Sequence, residues 1–204
     1  MPNVILLPPS GRPKLTVDEL TEKLKSHADR LADHPLRIVG LRGYFPKSLG
    51  STPGNDRAVY DDALFVWVPS KGIFAAFNGN TDPSKIRKGH GTADGTKGMA
   101  VLATGVWPVY RFADHHGTAG SYPAICQRAG VVTVMRDGDP PYPDTGHFGI
   151  NIHRGGYTTT SSEGCQTVPP DQWNEFYGTA RKAAEDLWGS AWTERVVAYV
   201  LQDC

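Results

Sequence analysis

Two side chains that can act together in nucleophilic catalysis, His153 and Cys165, lie close to each other in the sequence. A thiol becomes an effective nucleophile when a neighbouring base removes its proton. Cys165 directly follows a glycine in the polar run Ser-Ser-Glu-Gly-Cys-Gln at 161–166. We therefore predict that Cys165 is a nucleophile and that His153 is its general base.

The residues before the histidine predict a strand over 148–153. Alternate side chains of a strand face opposite sides, so the apolar residues of this segment share one face. Asn151 and His153 share the other face, where the amide could orient the imidazole through a hydrogen bond.

The loop around the cysteine has the residues that an acyl-transfer site needs. Gly164 lacks a side chain, and we expect it to allow close approach of a substrate. The amides of Gly164 and Cys165 could face a developing oxyanion. Ser162 is expected to support the turn.

A chance pairing is the alternative interpretation, because free cysteines are usually buried small hydrophobic residues. Cys126 lies among apolar neighbours and is interpreted as structural, and the terminal Cys204 as exposed and without a role. The polarity and glycine content of 161–166 favour catalysis for Cys165.

Ile-His-Arg-Gly at 152–155 followed by Ser-x-Gly-Cys at 162–165 resembles the signature of the L,D-transpeptidase (YkuD-type) catalytic domain. The longer patterns Phe-Gly-Ile-Asn-Ile-His-Arg and Ser-x-Gly-Cys-Gln are similar to a branch of small phage and prophage proteins. The resemblance extends to 80–84 and 122–124. It implies a mainly β catalytic domain that acts on the stem peptides of bacterial peptidoglycan through a thioester acyl-enzyme.

Four positions match the family's motif. The resemblance implies that His153 is the base and Cys165 the nucleophile, with Ser162 and Gly164 as the serine and glycine of the cysteine loop.

Three departures from the family pattern bear on the reaction. Glu163 stands where the family usually has a second histidine, Arg154 intervenes between His153 and Gly155, and the interval from histidine to cysteine is shorter. Nucleophile and base are intact, whereas transpeptidation itself is in doubt. A phage-type cell-wall hydrolase (an endolysin) is as plausible as a transferase.

Four further residues are predicted to contact the substrate: Asn151, Arg154, Arg136 and Tyr122. Arg136 ends an apolar strand and suits a peptide carboxylate by bidentate pairing, with a surface salt bridge as the alternative. Residues 80–82 before Pro83 are interpreted as turn chemistry, with a loop at the rim of the cleft as the functional alternative.

Metal and cofactor chemistry is not predicted. His90, His115, His116 and the pair of His147 with His153 raise the question of zinc, but no His-Glu-x-x-His run or third ligand is evident. No glycine-rich phosphate loop is present either. The alternatives to a cysteine enzyme are a zinc peptidase and a non-catalytic peptidoglycan-binding or virion structural protein with the same fold.

Composition restricts the partners. Lys plus Arg and Asp plus Glu are 21 each in 204 residues, so charge gives no case for nucleic acid or an anionic membrane as the main partner. Three cysteines argue against a disulfide framework, and no segment has the ~20 apolar residues of a membrane helix. We predict a monomer without membrane insertion.

The first residues lack a basic leader and a long apolar stretch, so no signal peptide is expected. Because peptidoglycan lies outside the cytoplasm, the prediction places the protein in the host cytoplasm or the virion of a phage. From there it would reach the cell wall through a holin, within the virion or after host damage. An effector exported by a dedicated secretion machine is the other route.

The predicted fold is mainly β (α+β), a sandwich or barrel of short strands. Residues 1–35 form an N-terminal extension whose helix begins at a Thr16–Glu19 capping box and runs to about residue 33. Residues 36–204 form the catalytic domain. A second helix, after the cysteine, is entered at Pro169 and Pro170. The predicted strands cover 37–45, 64–68, 73–77, 99–106, 107–112, 131–136, 148–153 and 195–201.

Overall fold

The computed structural model describes residues 11–46, 55–89, 97–117 and 120–204. These residues form a mainly β structure with few helices, as predicted. The strands are β1 (Arg37–Arg42), β2 (Asp62–Val68), β3 (Ile73–Gly79), β4 (Ala100–Leu102), β5 (Gly105–Gly117), β6 (Gly120–Gln127), β7 (Val132–Arg136), β8 (Tyr142–Gly146), β9 (Ile152–Arg154), β10 (Gln166–Val168) and β11 (Val197–Asp203).

The strands form two sheets. The larger sheet has eight strands in the order β10-β9-β6-β5-β11-β1-β2-β3, and the smaller one has the order β4-β7-β8. The pairs β1–β11 and β9–β10 are parallel, whereas the other pairs are antiparallel. Asn80 and Thr167 exchange two backbone hydrogen bonds of 2.9 and 2.8 Å, which join the two edge strands of the larger sheet. This sheet therefore closes on itself.

The central strands of the larger sheet are buried on both faces because both faces are covered. On β2, Leu64 and Val66 belong to one apolar cluster together with the helix α3 (Pro170–Trp188) and the small sheet, while Phe65 belongs to a second cluster. That second cluster contains Leu20 of the N-terminal helix α1 (Val17–Lys23). Because successive side chains of a strand face opposite sides of the sheet, neighbouring residues of β2 pack in the clusters of different helices.

The two predicted helices have different outcomes. The capping box is present: Thr16 accepts from the Glu19 amide and the Glu19 carboxylate accepts from the Thr16 amide. The continuous helix to residue 33 is wrong, because the chain tightens into a 3₁₀ turn at Lys25–His27 before the short helix α2 (Ala28–Leu31). Ser26 and His27 are weak helix formers, which favours this break. The helix after the cysteine is confirmed as α3.

The predicted strand over 148–153 is wrong in most of its length. Only Ile152–Arg154 is a strand, and Gly149 adopts a φ of +70° that breaks the extended geometry. The amides of Phe148 and Ile150 donate instead to the side-chain oxygen of Gln127, at 3.2 and 3.1 Å. The strands β6 and β8 were not predicted.

None of the helices in the described residues is long and apolar enough to cross a membrane.

Candidate functional site

His153 and Cys165 line one cleft of about 810 Å³ that residues of both sheets enclose. Predicted substrate residues Arg136, Arg154 and Tyr122 line the same cleft, which also contains Gly164 of the cysteine loop, whereas Ser162 and Asn151 are not among its lining residues. The structure therefore brings most of the predicted site together.

The parallel pair β9–β10 sets the relative position of His153, the predicted base, and Cys165, the predicted nucleophile. Gln166 is opposite Ile152 and Thr167 is opposite His153, and the Gln166 amide donates to the Asn151 carbonyl at 2.8 Å. Cys165 is the residue immediately before β10. The thiol thus lies beside the start of the strand that carries the histidine.

The Cys165 thiol is held by backbone groups of the preceding loop. Its Sγ lies 3.4 Å from the Gly149 carbonyl, to which it donates, and the Asn151 amide donates to it at 3.4 Å. Burial raises the pKa of the thiol to about 11, and the Asn151 amide opposes this change. At neutral pH the sulfur is therefore protonated, although the residue is partly exposed to the cleft.

The His153 imidazole is buried and has a defined tautomer. Its Nδ1 lies 2.8 Å from the Arg154 carbonyl oxygen, which only accepts, so Nδ1 carries the proton. Tyr122 Oη lies 3.1 Å from Nδ1 and donates to the same carbonyl at 3.3 Å. Nε2 consequently keeps its lone pair, and it has no hydrogen-bond partner among the described residues. This is the tautomer that a base facing a cleft requires.

Burial, followed by the neighbouring His115, lowers the pKa of His153 to about 4. Imidazole and thiol are therefore both neutral at pH 7. Among the described residues, no hydrogen bond joins Cys165 to His153. A preformed thiolate–imidazolium pair therefore has no support in this arrangement.

Ser162 organises the turn that presents the cysteine. Its buried hydroxyl donates to the Cys165 carbonyl at 2.7 Å and accepts from the Gly164 amide at 3.0 Å. Ser84 fixes this turn from outside, since its hydroxyl accepts from the Ser162 amide at 2.7 Å. The serine acts through the backbone and has no contact with the reacting sulfur.

The predicted role of Gly164 requires correction. A Cβ at this position would lie 2.6 Å from the Ala100 carbonyl oxygen, and φ is +152°, so glycine is needed for close packing against the protein. Its amide is bound by Ser162 and cannot serve an oxyanion. The Cys165 amide has no acceptor in the described part of the chain, and it remains the available oxyanion donor.

The two arginines predicted to contact the substrate differ in their freedom. Whereas His153 lies on β9 of the larger sheet, Arg136 ends β7 of the smaller sheet. Its Nε donates to Asp144 at 3.1 Å, so the alternative of a salt bridge is present. Arg154 is exposed, and its guanidinium lies 5.3 Å from the ring centroid of Tyr122.

Asn151 does not orient His153 directly, contrary to the prediction. Its Oδ1 accepts from the Gln127 amide at 3.0 Å, and its Nδ2 lies 3.0 Å from Nδ1 of His115. The His115 ring stacks on that of His153, with centroids 4.2 Å apart and planes inclined by 9°. In the sequence, His115 suggests only a possible metal ligand, because it lies far from His153 along the chain and shares no local pattern with it.

Within the described ranges, no group of three His, Cys, Asp or Glu side chains could hold a metal ion. His90 lies outside these ranges. His147 is exposed and precedes β9 rather than forming part of a strand with His153.

A second group of titratable side chains lies elsewhere in the structure. Asp61, Asp62 and Asp82 are buried, and we call them the acid cluster. Burial raises the pKa of Asp61 to about 7 and that of Asp62 well above the usual range. Asp62 accepts from the amides of Gly43 and Thr81, each at 2.6 Å.

Comparison of the chain with protein-family models, with curated proteins and with solved structures finds no match.

Proposed function

We propose that the chain is a cysteine-dependent enzyme of the L,D-transpeptidase type that acts on peptidoglycan stem peptides through a thioester acyl-enzyme. The observation that carries the proposal is that Cys165 and His153 line one cleft, with Nε2 of the imidazole free to accept a proton. The motif resemblance supplies the substrate class. A phage or prophage setting, with action on the bacterial wall, belongs to the same proposal.

The reaction follows from the neutral state of both groups. As Sγ of Cys165 attacks the stem-peptide carbonyl, Nε2 of His153 takes the thiol proton. The amide of Cys165 donates to the oxyanion that forms. When the C–N bond breaks, the imidazolium returns the proton to the leaving amine. Water or a second amine then attacks the thioester, giving hydrolysis or a cross-link.

The charge of the cleft suits a substrate that carries carboxylates. The protein as a whole has a formal net charge of +0, yet cations prevail over acids among the lining residues. Asp144 pairs with Lys97 and Arg136, and Glu163 lies 3.9 Å from Arg87. Arg154 forms no ion pair within the described part of the chain. It is the cation most available to a stem-peptide carboxylate.

Replacement of the nucleophile tests the proposal. Cys165→Ala should abolish the release of peptide or amine from purified sacculi, because no thioester can form. Cys204→Ala is the matched control, since that cysteine is exposed at the end of the chain and should be dispensable. Undiminished release by Cys165→Ala would remove the mechanism. Mass analysis of products from defined muropeptides would separate hydrolysis from transpeptidation.

A non-catalytic peptidoglycan-binding or virion structural protein is the second candidate. The contacts of the thiol favour this second candidate. Sγ of Cys165 is hydrogen-bonded to Gly149 and Asn151 rather than to His153, and the pKa of the thiol is raised. This candidate predicts that the wild type and Cys165→Ala sediment equally with sacculi. It also predicts that neither releases product.

A further inference from the structure

A second histidine, His115 on β5, is built into the wall of the cleft behind the proposed base. Its imidazole is parallel to that of His153 at van der Waals distance, with centroids 4.2 Å apart. The rings of Tyr122 and His115 are in edge contact, with their centroids 5.4 Å apart. A buried imidazole with a flat ring on one face has little freedom to rotate about its χ2 angle. The stack therefore restricts the orientation of His153.

Hydrogen bonding fixes the second ring in turn. The Oδ1 atom of Asn151 accepts from the Gln127 amide, so the remaining amide nitrogen of Asn151 must donate to Nδ1 of His115. Nδ1 of His115 is thus an acceptor and its proton lies on Nε2. A proton added to Nδ1 would face the Asn151 donor, which favours the neutral ring.

We propose that His115 is a positioning residue that holds the His153 imidazole in the orientation and tautomer of a base, through a ring stack anchored by Asn151. This inference rests on the proposed function only in treating His153 as a catalytic base. The geometry of the stack does not depend on which bond is cleaved.

The groups that face His115 reinforce its neutral state. His116 on the same strand and Arg128 after β6 both lower its pKa, after burial as the main cause. Tyr122 and His153 are the titratable groups whose rings contact His115 in the described part of the chain. A neutral His115 adds no positive charge beside His153 at physiological pH.

A matched pair of variants isolates the stack in the full-length protein. His115→Phe and His115→Leu both remove the bond to Asn151, but only phenylalanine retains a flat ring. Both variants remove the charge of His115, so a change in the pKa of His153 that is common to them reports that charge and not the stack. In His115→Leu the Nδ1–H tautomer of His153 should be lost, and kcat should fall about tenfold with KM nearly unchanged. His115→Phe should stay nearer the wild type in all of these.

Nitrogen NMR of histidine-labelled protein measures the titration and the tautomer without any need for turnover. His116→Ala is the control and should leave the His153 signal unchanged. The inference is overturned if the His153 tautomer in His115→Leu is that of the wild type, or if the phenylalanine and leucine variants change the tautomer equally. His115→Gln, which also lacks a ring, replaces the leucine variant if that one does not fold. A wild type that yields no product would refute the proposed function and leave this measurement intact.

Discussion

The cleft and the acid cluster both contain buried titratable groups, yet they differ in what their atoms have left to bind. In the cleft, burial holds Cys165 and His153 in their neutral forms, and Nε2 of His153 has no partner among the described residues. In the acid cluster, burial raises the pKa of Asp62, but both of its oxygens accept from backbone amides. The same physical cause therefore acts in two different settings.

The comparison shows that a perturbed pKa reports burial first and function second. The acid cluster ties separate loops together: Arg42 donates to the Thr81 carbonyl at 3.1 Å and lies 3.6 Å from Asp82. Both oxygens of Asp62 and one oxygen of Asp61 accept from backbone amides, and only Oδ1 of Asp61 is buried without a hydrogen-bond partner in the described part of this cluster. The cleft instead has a lone pair on Nε2 of His153 and an amide on Cys165 that have no partner among the described residues.

The largest expected effect is the loss of the base. His153→Gln should lower kcat/KM for release from sacculi roughly 10²–10⁴-fold, because the thiol proton has no acceptor during attack. Asp61→Asn in the acid cluster is the control, and it should retain the wild-type rate. Equal rates for His153→Gln and the wild type would show that the difference between the two regions is not catalytic.

The second prediction concerns the pH dependence of the rate. The proposed base, His153, would act in its neutral form, and its pKa is about 4. The value of kcat/KM should fall about tenfold for each pH unit below that point and stay level from about pH 5 to the alkaline range, where the thiol pKa is about 11. A rate profile from pH 3.5 to 9 measures this. An acid limb centred near 6.5 would contradict the burial that the structure assigns to His153.

The third prediction tests the packing of the cysteine loop. Gly164→Ala should destabilise the protein by about 1–3 kcal/mol, because the new methyl group would lie 2.6 Å from a backbone oxygen of Ala100 at a φ that favours glycine. Denaturant unfolding measures the change. Gly178→Ala on α3 is the matched control, since a Cβ there meets nothing within 4 Å. An unchanged free energy of unfolding for Gly164→Ala would contradict the prediction and show that the loop can move to accommodate the methyl group.

Features set by local sequence could be predicted. The capping box of Thr16 and Glu19 and the hairpin of β2 and β3 depend on residues that are neighbours in the chain. The shared cleft of His153 and Cys165 followed from a short loop between them, because the few residues separating a base from a nucleophile limit how far apart they can lie.

Features set by distant partners could not be predicted. The segment before His153 has the alternating apolar and polar residues of a strand. Two of its amides donate to the side chain of Gln127 instead of to a neighbouring strand, so most of the segment is not a strand. The strands β6 and β8 contain Pro123 and Pro143, which lower strand propensity, and only their pairing partners make them strands. His115 reaches the site through the register of β5 with β6, which no local pattern reveals.

The smallest expected effect concerns the stability of the acid cluster. Asp61 has a pKa of about 7 in the folded protein and an ordinary value of 3.8, so the folded state keeps a proton that the unfolded chain has lost between these pH values. The free energy of unfolding should therefore fall as pH rises through this window. Asp61→Asn removes this contribution and should be more stable than the wild type at pH 8 and nearly equal to it at pH 4.

Comparing the variant with the wild type at each pH cancels the opposite contribution of His153, whose lowered pKa makes stability rise with pH between about 4 and 6.5. Asp33→Asn on the surface controls for the lost charge and should show no such pH dependence. If Asp61→Asn instead loses stability at pH 8, the Asp61 carboxylate is charged and paired there. The acid cluster would then be an ion-pair network, and the cleft alone would hold groups that burial keeps neutral.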